Sequence, residues 1–187
     1  MLYGMSYNFS PTKQNIKDLE EWLKREMSTI RTGRATPAIL DGVKVEAYGS
    51  EMPINQLANV SVEDARTIRI SPWDATQVKA IEKAIVASDL GLSVAVDGSG
   101  IRVNFPELTT DRRGALIKIA KQKLEDARVT LRTERERVIK EVDGQEKSGS
   151  ISEDEKFRIK TELQKMVDDA GRALEEVFVK KEKEIGE

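Results

Sequence analysis

The stretch 109–143 does most to limit what this chain can fold into. Leu116, Ala120, Leu124, Ala127, Leu131 and Val138 recur there in steps of three, four and seven, the spacing of a helix with one buried face and not of an alternating strand. About 34 residues rising roughly 1.5 Å each span about 50 Å. A helix that long needs partners of similar length to cover its apolar stripe. The sequence supplies two. Residues 12–32 carry Ile16, Leu19, Leu23, Met27 and Ile30, and residues 152–185 carry Leu163, Met166, Val167, Ala170, Leu174, Val177, Phe178 and Ile185. Three such stripes predict an up-down-up three-helix bundle close to coiled-coil geometry. Ser10-Pro11 suits the first helix start, and Gly33 its stop. Gly144, Ser148, Gly149 and Ser150 mark a loop at the far end, followed by a capping box with Ser152 as cap and Glu155 three residues on.

Between the first and second helices the pattern changes. Residues 43–47 alternate as a strand, 48–51 read as a turn and 52–54 as the returning strand. Residues 60–62 form a short extended piece, and 67–71 are the clearest alternating strand. A short helix follows, from 75 or 76 to 88, with Val78, Ile81 and Ile85 on one side. Residues 92–96 and 101–105 pair around Asp97-Gly98-Ser99-Gly100. The predicted fold class is α+β: a long antiparallel three-helix bundle, 1–33 with 107–187, carrying an inserted small β/α/β domain at 34–106. Two linkers join them and form a candidate hinge, Gly33, Arg34, Ala35, Thr36 and Pro37 in one, Phe105, Pro106, Glu107 and Leu108 in the other. Pro37 pushes Thr36 out of the helical region, and paired linkers permit relative domain motion.

The chain has no cysteine and no histidine. That removes thiolate chemistry, a disulfide framework and the commonest base and metal ligand. The pattern GxxxxGK[ST] is absent, which argues against an NTPase. Asp97 is better read as a turn residue than as a metal ligand. No catalytic residue, metal site or cofactor is expected, and the protein is read as not an enzyme. No apolar run reaches membrane-spanning length, and the first ten residues lack a signal-peptide pattern, so a cytoplasmic protein without a membrane partner is expected.

The formal net charge of −2 hides an uneven distribution. Residues 109–147 hold eleven basic and eight acidic side chains, and 13–34 hold six and four. Residues 35–108 hold six and ten, and 153–187 hold eight and eleven. At about 100° per residue, Lys121, Arg128, Arg132 and Arg135 fall within about 40° of one direction, beside the buried seam. Arg112, Arg113 and Lys118 add charge near one end, with Arg31 and Arg34 at the end of the first helix. Guanidinium forks match phosphate oxygens in pairs, so these residues suit a folded RNA backbone read by shape. The absence of interleaved aromatics argues against single-strand stacking. A solvated face, with Arg128 paired to Glu125 and Arg132 to Glu136, explains the same residues equally well. The alternative function is a coiled-coil adaptor for a protein partner, which explains the bundle equally well and the arginine stripe less well.

Further residues carry a resemblance. Ile30-Arg31-Thr32-Gly33-Arg34-Ala35 followed by Pro37 and Leu40, Tyr48-Gly49 with Pro53, the run 62–67 and the run 81–92 resemble successive signatures of the ribosome recycling factor family. So do Arg112-Arg113, Ala127-Arg128-Val129 with Arg132, the run 151–155 and Gln164-Lys165. The similarity covers about residues 13–185. It implies an L-shaped molecule that mimics transfer RNA, with a bundle that contacts large-subunit ribosomal RNA and a hinged domain pointing toward the small subunit. The implied function is to split the post-termination 70S-type ribosome with elongation factor G and GTP, releasing messenger and deacylated transfer RNA. The implied protein is a monomer that does not bind DNA. Arg132 is then the leading RNA contact and Arg128 the next, with Arg31 and Arg34 weaker. Family members usually have two adjacent arginines after Arg132. Here Glu136 stands in place of the second.

Overall fold

The structure, a computed structural model, describes residues 7–187. Part of the lead-in expected over 1–10 lies outside the described residues. The chain forms two compact units, one of residues up to Met27 with Ala120–Lys180, the other Ser28–Ile119 with Lys181–Glu187.

The first unit is helical. It is built from α1 (Ser10–Ser28) and from most of α3 (Thr110–Lys147) and α4 (Glu153–Gly186). Side-chain pairs fix the directions. Between α3 and α4, Arg128 meets Glu175, Arg135 Nε donates to Gln164 Oε1 (2.9 Å), and Lys160 Nζ lies 2.7 Å from Asp143 Oδ1. As the α3 number rises the α4 number falls, so these helices are antiparallel. Lys123–Glu26 (2.7 Å) and Tyr7–Glu141 (3.0 Å) show the same for α1 and α3. The result is the up-down-up order. Leu23, Met27, Ala120, Leu124, Ala127, Leu131, Leu163, Ala170 and Leu174 are buried along the seams. At the tip, Phe9, Val138, Val142, Ile159 and Leu163 form a further cluster.

Helix ends depart from expectation in two places. α1 stops at Ser28, not at Gly33. The following Thr29-Ile30-Arg31-Thr32 is a β-branched-rich run of low helix propensity, and Thr32 Oγ1 instead accepts from Arg34 N (3.2 Å). α3 runs through Gly144 and ends at Lys147. A helical glycine costs only about 1 kcal/mol, whereas Gly149 at φ +74° is a true stop. Gly149 N donates to Glu146 O and Ser150 N to Gln145 O (both 2.9 Å), the two bonds of a Schellman motif. The capping box forms: Ser152 N donates to Glu155 Oε2 (2.8 Å), and Glu155 N to Ser152 Oγ (3.2 Å).

The second unit holds a two-stranded and a four-stranded antiparallel sheet. β1 (Lys44–Ala47) pairs with β2 (Ser50–Pro53), with Glu46 opposite Glu51. The turn is only Tyr48-Gly49, both with positive φ (52° and 78°), as a two-residue type I′ hairpin requires. The larger sheet has the order β3-β4-β6-β5, from β3 (Ala58–Asp64), β4 (Thr67–Pro72), β5 (Ser93–Asp97) and β6 (Gly100–Asn104). α2 (Val78–Ala87) packs on it through Val78, Ile81 and Ile85. Strand β3 is longer than the three residues expected, because pairing with β4 continues past the apolar positions.

Two expected hinge residues belong to this core region. Phe105 is fully buried among Ile68, Ile101 and Val103, and its N donates to Arg66 O (2.8 Å). Ala35 N donates to Ala65 O (2.8 Å). Burying a phenylalanine stabilises by about 2–3 kcal/mol, so Phe105 is corrected from linker to core. Leu108 is likewise buried.

Candidate nucleic-acid interface

The periodicity that buries Leu124, Ala127, Leu131 and Val138 leaves Lys121, Arg128 and Arg132 exposed and Arg135 half-buried, all on the unbroken α3. Of the three arginines, Arg132 reaches furthest into solvent, with 66% of its side chain exposed. The stripe is not purely basic. Glu125 sits 2.9 Å from Arg132 Nη2 and 3.9 Å from Arg128 Nη1, and Glu175 of α4 also pairs with Arg128. Arg135 Nη1 contacts Glu136 Oε1 (3.0 Å). The sequence pairing of Arg132 with Glu136 is therefore corrected. Glu125, seven residues or about two turns back on α3, takes that place, and Glu136 holds Arg135. Such exposed pairs contribute about 0–1 kcal/mol each, so a phosphate oxygen can replace the carboxylate at little cost.

Arg137, one residue past Glu136, is committed elsewhere. It lies 2.7 Å from Glu134 and 3.3 Å from Glu141. Glu134 raises its pKa, and Arg137 in turn lowers that of Glu134. Burial, then Glu141, pushes the neighbouring Tyr7 hydroxyl up to about 12. Both of its partners lie on α3 itself, so this arginine is held along its own helix.

The other candidates separate by burial. Arg34 is exposed. Arg112 is half-buried, and its Nη2 donates to Asp89 O (3.1 Å). Arg113 is half-buried beside a cavity of about 480 Å³ that Arg66, Glu107 and Glu184 also line. Arg31 is the correction. It is 4% exposed, donates from Nη1 to Gly91 O (2.9 Å) and from Nη2 to Pro106 O, and lies 5.8 Å from the Phe105 ring centroid. Burial, then repulsion from Arg112, lowers its pKa. Its guanidinium is spent on backbone carbonyls of its own unit and is not offered to RNA.

Sequence reasoning missed Glu175 as a third acid on the stripe. Its signal lay in the antiparallel register, which pairs α3 and α4 across 47 positions. It also missed Phe157, 72% exposed, on the α3–α4 groove that Arg135, Lys160 and Arg172 line. Among the described residues, no group of acidic side chains is placed to hold a metal ion, and no helix is long and apolar enough to cross a membrane.

Comparison with known proteins gives a consistent result. A family model described as ribosome recycling factor matches residues 23–185. The ribosome-recycling factor of Symbiobacterium thermophilum is 44% identical over 94% of this chain and 99% of its own length. That of Endomicrobium trichonymphae is 45% identical over 95% of each. Among solved structures, a ribosome recycling factor in solution matches with a TM-score of 0.72 and 39% identity, covering 95% of this chain and 94% of that one. A T. thermophilus ribosome recycling factor, with E. coli elongation factor G bound to the E. coli post-termination complex, matches with a TM-score of 0.65 and 38% identity, covering 95% and 96%.

Proposed function

The chain belongs to the ribosome recycling factor family, and on that premise we propose that it binds the post-termination 70S-type ribosome and, with elongation factor G and GTP, splits it into subunits. The observation that carries this is the near-full-length likeness to a ribosome recycling factor seen with elongation factor G on such a complex. Messenger and deacylated transfer RNA are released as the subunits part. The protein performs no bond chemistry of its own, and nucleotide hydrolysis belongs to the GTPase. Its place of action is the cytoplasm, where ribosomes terminate.

The stripe Lys121, Arg128, Arg132 and Arg135 docks on large-subunit ribosomal RNA, with Arg34, Arg112 and Arg113 as weaker contacts. Contacts of this kind position a protein on phosphates without reading sequence. A continuous 38-residue α3 supports the role of a stiff strut, since a broken helix would absorb an applied push. The insert swings relative to the bundle about Gly33 and Arg34 and about Pro106 and Glu107, a motion that breaks the bonds of Arg31 to Gly91 O and Pro106 O and of Arg112 to Asp89 O. Ala35 and Phe105 stay with the insert through their backbone bonds to Ala65 and Arg66.

The test is a subunit-splitting assay with the chain, elongation factor G and GTP on post-termination ribosomes. Light scattering falls if the reading is right, and ribosomes that remain whole refute it. Arg132→Ala is expected to weaken large-subunit binding and to flatten the log–log salt dependence by about one unit, with folding intact. An unchanged slope removes Arg132 from the interface.

A further inference from the structure

We infer that the groove between α3 and α4 around Phe157 takes an unpaired base of ribosomal RNA, stacked on the phenyl ring. The inference rests on the ribosome-binding reading and adds to the phosphate contacts of the arginine stripe a contact of different chemistry.

Phe157 is 72% exposed, more than any other large hydrophobic side chain among the described residues. It stands in the second turn of α4, where the helix is regular and Thr161 Oγ1 donates to its carbonyl (2.9 Å). Ile159 and Leu163 are buried. They lie roughly 160° and 120° away around the helix, so the period that seals the bundle turns Phe157 outward. A groove of about 640 Å³ opens beside it. Arg135 enters that groove from α3, and its Nε donates to Gln164 Oε1 (2.9 Å). Gln164 is two turns beyond Phe157, about 10 Å along α4.

The lining selects the occupant. Arg135, Lys160, Lys165 and Arg172 face only two acids, Asp168 and Asp169. Both acids are already engaged. Asp168 Oδ1 accepts from Gln164 Nε2 (2.8 Å), and Asp169 pairs with Arg172. The surplus of cations favours an anionic chain. Among the described residues that line the groove, Phe157 is the only apolar one. A protein segment would need a dry apolar patch around such an anchor. A nucleobase needs one aromatic face and cations for the flanking phosphates. Arg135 belongs to both the stripe and this groove, so a single RNA strand can pass from one to the other. No aromatic interleaves with the arginines along α3, and the fold supplies one from the neighbouring helix.

The experiment places a benzophenone amino acid at Thr161, which is exposed in the groove and leaves Phe157 intact. The full chain is pelleted with purified 70S ribosomes, irradiated, and the cross-linked component sequenced. The expected product is an unpaired nucleotide of large-subunit ribosomal RNA. Phe157→Leu keeps apolar bulk without the π-face and should weaken ribosome binding by about tenfold, the scale of one stacked base. Its salt slope should stay that of the parent chain, because no charge is removed. Phe157→Trp should bind at least as tightly as the parent. A Phe157→Leu chain that binds like the parent overturns this inference and leaves the ribosome reading standing. So does a chain that pellets but cross-links to a ribosomal protein, to a second copy or to nothing. A chain that does not pellet overturns both.

Discussion

Replacing Arg31 with methionine removes a guanidinium that is 4% exposed while keeping an apolar stem of similar length. The carbonyls of Gly91 (2.9 Å) and Pro106 lose a charged donor, and that of Leu90 (3.4 Å) loses a weaker one. A charge-assisted bond contributes about 1.5–3 kcal/mol. Taking a guanidinium out of water costs several kcal/mol, so the net is far smaller than the gross. Water can reach the freed carbonyls in part, because Gly91 and Pro106 are themselves exposed residues. Two bonds at about 1 kcal/mol net, with the lost cation–π contact over Phe105 at about 0.5 kcal/mol, give a loss of about 2–3 kcal/mol. For a chain of this size that lowers Tm by roughly 4–12 °C. Circular dichroism melts and guanidinium titrations of the full chain measure it. Ribosome affinity at fixed temperature below the transition should be unchanged. A Tm shift under about 1 °C, together with a flatter salt dependence of ribosome binding, would show that Arg31 faces RNA and refute its assignment as an internal tie.

Glu125→Gln frees Arg132 and Arg128 from their shared carboxylate and should tighten ribosome binding by about twofold to fivefold, the scale of an exposed pair, as read by filter binding at constant salt. Gly91 and Gly149 both hold left-handed φ, +67° and +74°, but a Cβ at Gly91 would lie 3.1 Å from Arg31 Nη1 whereas Gly149 faces open space. Gly149→Ala should therefore cost about 1 kcal/mol in urea denaturation and Gly91→Ala about 2 kcal/mol. Lys160, then Lys156, holds the Asp143 carboxyl below its ordinary 3.8. Its contribution is present above that value and is lost as pH falls through the lower folded-state value, so Asp143→Asn should flatten the decline of Tm as pH falls below 3.8.

The bundle was legible because its signal repeats. Leu116 to Val138 keep one face over many turns, and all six expected positions are buried. Boundaries were less so, since Gly144 and Gly149 look alike in sequence and differ only in φ. The exposed arginines followed from the same period that fixed the core. Their acid partners did not, because Glu175 reaches Arg128 only through the α3–α4 register. Arg31 was misread for a related reason. Its partners lie 59 to 75 positions away and are backbone carbonyls, which carry no side-chain pattern. Phe105 beside Pro106 looked like the start of a linker, but an alternating strand ends on an inward residue as readily as on an outward one.

The cross-links of unlike charge between α3 and α4, Arg128 with Glu175 and Lys160 with Asp143, are a third or more exposed and each contributes only modestly to stability. Together they behave like a vernier scale. Sliding one helix past the other by the rise of a single residue, about 1.5 Å without rotation, spoils every such pair at once, whereas the non-directional apolar contacts of the seam are far less sensitive to so small a shift. Alignment, more than adhesion, is what these marks supply, and a strut whose docking face must meet a fixed surface has more use for the first than for the second.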